Sequence, residues 1–203
     1  MSTPDTHFEQ PASFAFSSEN DAKIASIIAK YPEGRQASAV MPLLDLAQRQ
    51  SGGWLPRAAM VHIAERLDMA EIRVFEVATF YTMYNLAPIG RHHVQVCTNL
   101  PCWLRGSDEV VATCKNRLGI GMGETTEDGN FTLSEAECLG ACVNAPMMQI
   151  GDDYYEDLDS ATTTAVLDAL ANGETPKPGP QNGRIGCEPA GGLTSLHGKK
   201  EDA

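Results

Sequence analysis

The chain has 203 residues, 42% of them hydrophobic, and a formal net charge of -12. That is enough apolar sequence to close a core, as one domain or two small ones, while the negative charge repels phosphate backbones and removes nucleic acid as a partner. No run approaches the roughly 20 apolar residues of a membrane span, so no direct membrane insertion is expected, and the N-terminus lacks the basic and apolar regions of a secretory signal.

Residues 1–17 are polar, contain Pro4 and Pro11, and show no periodicity, so they read as a flexible arm. The first twenty residues have no Lys or Arg but include Asp5, Glu9 and Glu19, the reverse of a mitochondrial transit peptide. A bacterial cytoplasm is the expected setting. Residues 18–88 then follow a helical pattern. Ile24, Ile27, Ile28 and Tyr31 form one stripe, stopped by Pro32-Glu33-Gly34. Val40, Leu43, Leu44 and Ala47 form a second, ended by Gly52-Gly53. Met60, Ile63, Ala64 and Leu67 make a third, and Asp68 with Glu71 predicts a capping box opening a fourth helix that runs through Tyr81. One apolar stripe per helix is the pattern of a small helical bundle.

Pro88-Ile89-Gly90 breaks this pattern, and residues 89–173 read as a second domain. Val94 and Val96 alternate with His93 and Gln95 in a strand ending at Cys97. Residues 103–118 predict one helix with Val110, Val111, Cys114 and Leu118 on a face. Asp128-Gly129 turns into a strand at Phe131, and Met147–Ile150 with Tyr154–Glu156 reads as a hairpin about Gly151-Asp152-Asp153. A last helix runs from a cap at Asp159 through Thr163, Val166, Leu167 and Leu170 to Gly173. Strand, helix, strands, helix is the order of a compact α/β domain, so the whole chain is of α+β or α/β class. Residues 174–203, rich in Pro and Gly, predict an extended C-terminal tail, free or on a partner.

The six cysteines are too few and too clustered for a secreted disulfide scaffold. Cys97-x4-Cys102 and Cys138-x3-Cys142, with 35 residues between them, give two thiolate pairs that a fold can bring together. Both zinc and iron-sulfur clusters accept four soft sulfur donors, and the spacing leaves both open. The residues around the second pair favour a cluster. Leu139-Gly140-Ala141 between the cysteines and Val143-Asn144-Ala145-Pro146 after them offer close backbone N–H approach to sulfur and exclude water. Those two effects tune a group that gains charge on reduction, whereas zinc does not change redox state. A thiol-disulfide oxidoreductase is a weaker reading, because no C-x-x-C motif is present.

Three runs carry a resemblance: Glu76–Tyr84 (EVATFYTMY), His93–Cys102 (HVQVCTNLPC) and Glu137–Pro146 (ECLGACVNAP). They closely resemble the NuoE-type 2Fe-2S subunit of respiratory complex I. The similarity extends from about Ile24 to Leu170, and Cys187-Glu188-Pro189-Ala190-Gly191-Gly192-Leu193 also looks like the alphaproteobacterial and mitochondrial members. The resemblance implies a helical N-terminal region followed by a thioredoxin-like ferredoxin domain, with Cys97, Cys102, Cys138 and Cys142 ligating one 2Fe-2S cluster. It also implies docking on a NuoF-like flavin/NADH-binding subunit, among other peripheral-arm subunits of complex I, on the cytoplasmic side of a bacterial inner membrane. FMN and NADH would sit only on that partner, since this chain has no Gly-rich dinucleotide fingerprint. Related subunits of NAD-linked formate dehydrogenases and NAD-reducing hydrogenases are the alternative host, and a zinc-stabilised interaction module is the alternative chemistry.

The other candidates receive plainer readings. Cys114 is expected to be an inert buried thiol and Cys187 an ordinary reduced one. His92 and His93 point to opposite faces of a strand and so do not ligate jointly; they read as a solvent-facing and an interface residue. Trp103 reads as a core aromatic at least as readily as a cover for the cysteines or a contact to a partner. Asp152-Asp153 and Glu156-Asp157 read as solvated surface.

Overall fold

In the computed structural model the described residues are 8–189, 191, 192, 194 and 195. The first seven residues of the expected arm, the last eight of the expected tail, and Ala190 and Leu193 of the family-like segment lie outside them. The chain divides into two compact units at the Ile89–Gly90 junction.

The first unit is helical: α1 (Ser18–Ile28), α2 (Val40–Gln50), α3 (Arg57–Arg66) and α4 (Glu71–Phe80). The predicted stripes form its core, where Ile24, Leu43, Leu44, Ala47, Ile63 and Val74 are fully buried. Ser17 caps α1, its side chain accepting from the Asn20 N–H. Two glutamines on α2 tie down the ends of the unit. Gln48 accepts from the Asn85 N–H at 2.7 Å and donates to the Met83 carbonyl at 3.0 Å, while Gln50 accepts from the Ser17 N–H and donates to the Ala15 carbonyl.

Two expectations fail in this unit. Asp68 does not cap α4: it sits at φ 51°, in the turn leaving α3, and the helix starts after Ala70 with no side-chain cap. The described part of the arm is not loose, since Phe8 packs edge-on against Trp54 and Phe14 against Phe16, which is itself buried. Spaced aromatics gave no periodic signal, but each buries enough area to anchor an irregular segment.

The second unit is built on a six-stranded mixed sheet in the order β2-β3-β1-β4-β5-β6. Its strands are β1 (His92–Cys97), β2 (Glu124–Thr125), β3 (Phe131–Ala136), β4 (Met147–Ile150), β5 (Asp153–Glu156) and β6 (Gly179–Pro180). β1 pairs parallel with β3 and antiparallel with β4; β4 and β5 form the expected hairpin. The helices are α5 (Leu100–Leu104), α6 (Ser107–Leu118) and α7 (Ser160–Ala171). Period-two alternation sends Val94, Val96, Leu133, Met148 and Tyr155 into one core with Val110 and Cys114 of α6 and Val166 and Leu167 of α7. The intervening residues Cys97, Met147 and Tyr154 therefore belong to the opposite face, where a smaller apolar cluster gathers.

The single helix expected over 103–118 is two, because Gly106 adopts φ 98° and breaks the ladder between α5 and α6. Asp159 caps α7 as expected, in a reciprocal capping box with Thr162. The described tail does not lie free: β6 pairs with β5, and Arg184 forms a buried ion pair with Asp157. Among the described residues, no helix is long and apolar enough to cross a membrane.

Candidate metal centre

The parallel pairing of β1 and β3 is what brings the two cysteine pairs to one end of the sheet. Cys97 is the last residue of β1 and lies in register with Ala136, the last residue of β3, so Cys138 follows only two residues beyond Cys97's strand partner. Polar contacts bind the two segments further. Thr98 donates to Glu135, and Asn99, which caps α5, donates to Glu137 at 3.1 Å. Cys102 then lies in the first turn of α5.

The four thiols differ in surroundings. Cys97 and Cys102 are buried with Ala145 and Met147, while Leu139, Ala141 and Tyr154 pack against them. Cys138 and Cys142 are exposed, with their sulfurs 3.5 Å apart. Their loop is held from both sides: the Tyr154 hydroxyl donates to the Leu139 carbonyl at 2.9 Å, and Cys142 opens a 3-10 turn through Asn144. Gly140, midway between the two cysteines, sits at φ 85°, a conformation that strains any residue with a Cβ.

Electrostatics shows that the pairs feel one another. Burial pushes the Cys102 thiol up to about 12, reinforced by a hydrogen bond to Cys97 and by the charges of Cys97 and Cys142. Cys142 is also raised, first by its hydrogen bond with Cys138, then by desolvation and the charges of Cys138 and Cys97. Four thiolates so placed repel one another, and bound cations relieve the repulsion, which is the donor chemistry an iron-sulfur or zinc site requires. The sulfurs are arranged as two pairs. Among the described residues, no group of three or more His, Cys, Asp or Glu side chains is gathered as a single metal ion requires.

The remaining sequence candidates lie elsewhere. Cys114 is fully buried on α6, and burial pushes its thiol up to about 12, as befits an inert core residue. Cys187 is exposed. The two histidines are half-buried on β1. His93 Nε2 is 2.8 Å from the Ser134 hydroxyl and His92 packs against Phe131, so both belong to this unit's own sheet, and burial lowers the pKa of each. Trp103 is 54% exposed and donates to Asp108, so it is no core aromatic.

The acidic pair Glu156-Asp157 is not solvated surface either. Asp157 accepts a two-pronged ion pair from Arg184, and Glu156 accepts from the Asn144 amide, so both join a network behind the cysteine loop. Nothing local in sequence flags it, because Arg184 lies in a Pro- and Gly-rich stretch 27 positions away.

Residues 24–171 match the family model described as Thioredoxin-like [2Fe-2S] ferredoxin. The chain belongs to that ferredoxin family. Its fold is therefore the one the resemblance implied, a thioredoxin-like ferredoxin domain after an N-terminal helical region. Among curated relatives, the ferredoxin is 52% identical over 196 residues to the mitochondrial NADH dehydrogenase [ubiquinone] flavoprotein 2 of Dictyostelium discoideum, covering 97% of this chain and 78% of that one. It is 56% identical over 159 residues to an NADH-quinone oxidoreductase subunit of Rickettsia bellii, covering 78% of this chain and 95% of the relative. Among solved structures, a crystal structure of an NAD+-reducing [NiFe]-hydrogenase in the H2-reduced state matches with a TM-score of 0.57 at 19% identity. That match covers 66% of the ferredoxin and 23% of the hydrogenase chain, and at such identity it establishes the fold alone.

Proposed function

We propose that the chain is the electron-transfer subunit of an NADH:quinone oxidoreductase, carrying one 2Fe-2S cluster on Cys97, Cys102, Cys138 and Cys142. The observation that carries the reading is the meeting of two thiol pairs at one sheet end in a chain more than half identical to relatives named as subunits of that enzyme. The match of residues 24–171 to the [2Fe-2S] ferredoxin family, rather than the pairing of the thiols, favours iron-sulfur over a zinc-stabilised module.

Such a cluster supplies a one-electron store that becomes more negative when reduced. The residues of this chain do the rest. Cys97 and Cys102 would hold the group from the buried end of the sheet, where Met147 and Tyr154 pack against them and shield them from water. Cys138 and Cys142 would hold it from the exposed loop, leaving that edge of the site open to a neighbouring redox group. Leu100, Trp103 and Leu104 of α5 and Val143 beside Cys142 are all more than half exposed, an apolar rim around an otherwise acidic molecule. The partner proposed for that rim is the NuoF-like subunit that holds FMN and NADH, within the peripheral arm on the cytoplasmic side of a bacterial inner membrane.

An NAD-reducing hydrogenase or NAD-linked formate dehydrogenase is the second host; the match to the hydrogenase shares the fold and carries no argument for the host. The identity of 52–56% to complex I subunits ranks it lower. The test is reduction by NADH, followed by loss of visible absorbance. The loaded chain alone stays oxidised with NADH and is bleached once a NuoF-like flavin subunit is added. Bleaching by NADH without that partner contradicts the assignment of flavin and nucleotide to another chain.

A further inference from the structure

We infer that Arg184 is a positioning residue for the metal centre, acting through Asn144 to lock the turn that presents Cys142; the inference rests on Cys142 being a cluster ligand. The two cysteine pairs are held in different ways. Cys97 and Cys102 are fixed by the core, whereas Cys142 is exposed and opens a 3-10 turn of only three residues, Cys142–Asn144. A turn that short has too few internal hydrogen bonds to hold an exposed thiol.

Arg184 supplies what the turn lacks. Its Nη2 donates to the Val143 carbonyl at 2.9 Å and to Asn144 Oδ1 at 2.7 Å. Nε and Nη2 together grip both Asp157 oxygens, at 2.6 and 2.7 Å, so that the two Nη2 hydrogens are shared among three acceptors, and Nη1 donates to the Glu188 carbonyl at 2.9 Å. Asn144 completes the circuit, its amide donating to Glu156 Oε2 at 2.5 Å and to the Gly186 carbonyl at 2.9 Å. The side chains of Arg184 and Asp157 are 9% and 8% exposed, and Asn144 is buried. Asp157 also sits at φ 52°, with its N–H on the Asn144 carbonyl at 2.8 Å, a posture that persists because its surroundings over-determine it.

A planar guanidinium is suited to this task because one rigid fork serves a carboxylate, an amide oxygen and two carbonyls at once, which an ammonium group cannot do. Arg184 lies beyond residues 24–171, so the clamp comes from a segment outside the matched ferredoxin domain. Outer partners of this kind orient the ligands, and their removal commonly weakens metal holding by about 10- to 100-fold.

The test uses the full chain, purified anaerobically with its cluster, as wild type, Arg184→Ala and Arg184→Lys. Iron loss to a chelator, the EPR line shape of the reduced cluster, and hydrogen exchange of peptides covering 139–146 and 92–97 are measured. The clamp predicts iron loss on the order of tenfold faster in R184A, with R184K between. It also predicts an altered EPR line shape and faster exchange in 139–146, with 92–97 unchanged. Should R184A not fold, R184K carries the test, since it keeps a positive charge opposite Asp157 but loses the fork. Equal rates and identical spectra overturn the inference, as does exchange that rises equally in both peptides, which marks a general loss of stability. A wild type without iron and labile sulfide contradicts the cluster assignment instead, and the clamp falls with it.

Discussion

Cys138 and Cys114 carry the same side chain in opposite surroundings. One is exposed 3.5 Å from the sulfur of Cys142, and the other is sealed between helix and sheet with its thiol raised to about 12. Cys138→Ser is therefore expected to abolish or cripple iron binding. Cys114→Ser should keep the iron and labile-sulfide content of the wild type while losing about 1–3 kcal/mol of stability, because it buries a hydroxyl among apolar neighbours. Equal iron loss from both variants would contradict the ligand assignment. His93 gives a pH prediction. Burial lowers its folded pKa, so above the ordinary histidine value of about 6.5 the ring is neutral in both states and its stability contribution is complete. As pH falls below that value the unfolded chain takes up the proton first, and stability is lost until the folded ring also protonates. His93→Gln should therefore narrow the drop in melting temperature between pH 7.5 and 5.5, whereas an unchanged drop would show that His93 does not carry it.

At the scale of elements, two positions have clear steric and polar consequences. A Cβ at Gly90 would lie 2.7 Å from the Phe131 carbonyl carbon, and the Gly90 N–H donates to the Thr132 hydroxyl at 2.6 Å, so the backbone must pass close to β3. Gly90→Ala is expected to cost about 1–3 kcal/mol in urea unfolding, the range of a forced overlap in packed structure. Thr163 on α7 is fully buried, and its hydroxyl has no hydrogen-bond partner among the described residues. Thr163→Val should raise stability by about 1 kcal/mol, and a loss of similar size would show that the hydroxyl is satisfied after all. Elements were legible in sequence where a single period runs long enough: α2, α3 and α7 carry their apolar stripes as predicted, and the β4–β5 hairpin follows from its turn. The misses are short or non-local. One glycine splits α5 from α6, and β6 is two residues long, formed by pairing with β5 rather than by any pattern of its own.

At the scale of the whole molecule, spacing made the candidate site legible as two cysteine pairs, and the family resemblance alone implied that the four ligate one cluster. Spacing shows which thiols are neighbours in sequence; the register of Cys97 with Ala136 is what makes the two pairs neighbours in space. The clamp at Arg184 was invisible because its partners, Val143, Asn144 and Asp157, are reached only when the tail returns over the domain. The whole chain is also expected to show no NADH oxidation in isolation, checked by following NADH absorbance with an artificial electron acceptor. Turnover by the pure chain would mean that it holds a nucleotide site after all.

The central claim, a redox cluster on four cysteines, is tested most directly by anaerobic purification with iron and labile-sulfide assay and EPR before and after dithionite. Two irons and two sulfides per chain are expected, with a paramagnetic signal that appears only on reduction. One zinc per chain, no labile sulfide and no EPR signal after expression with ample iron would contradict it.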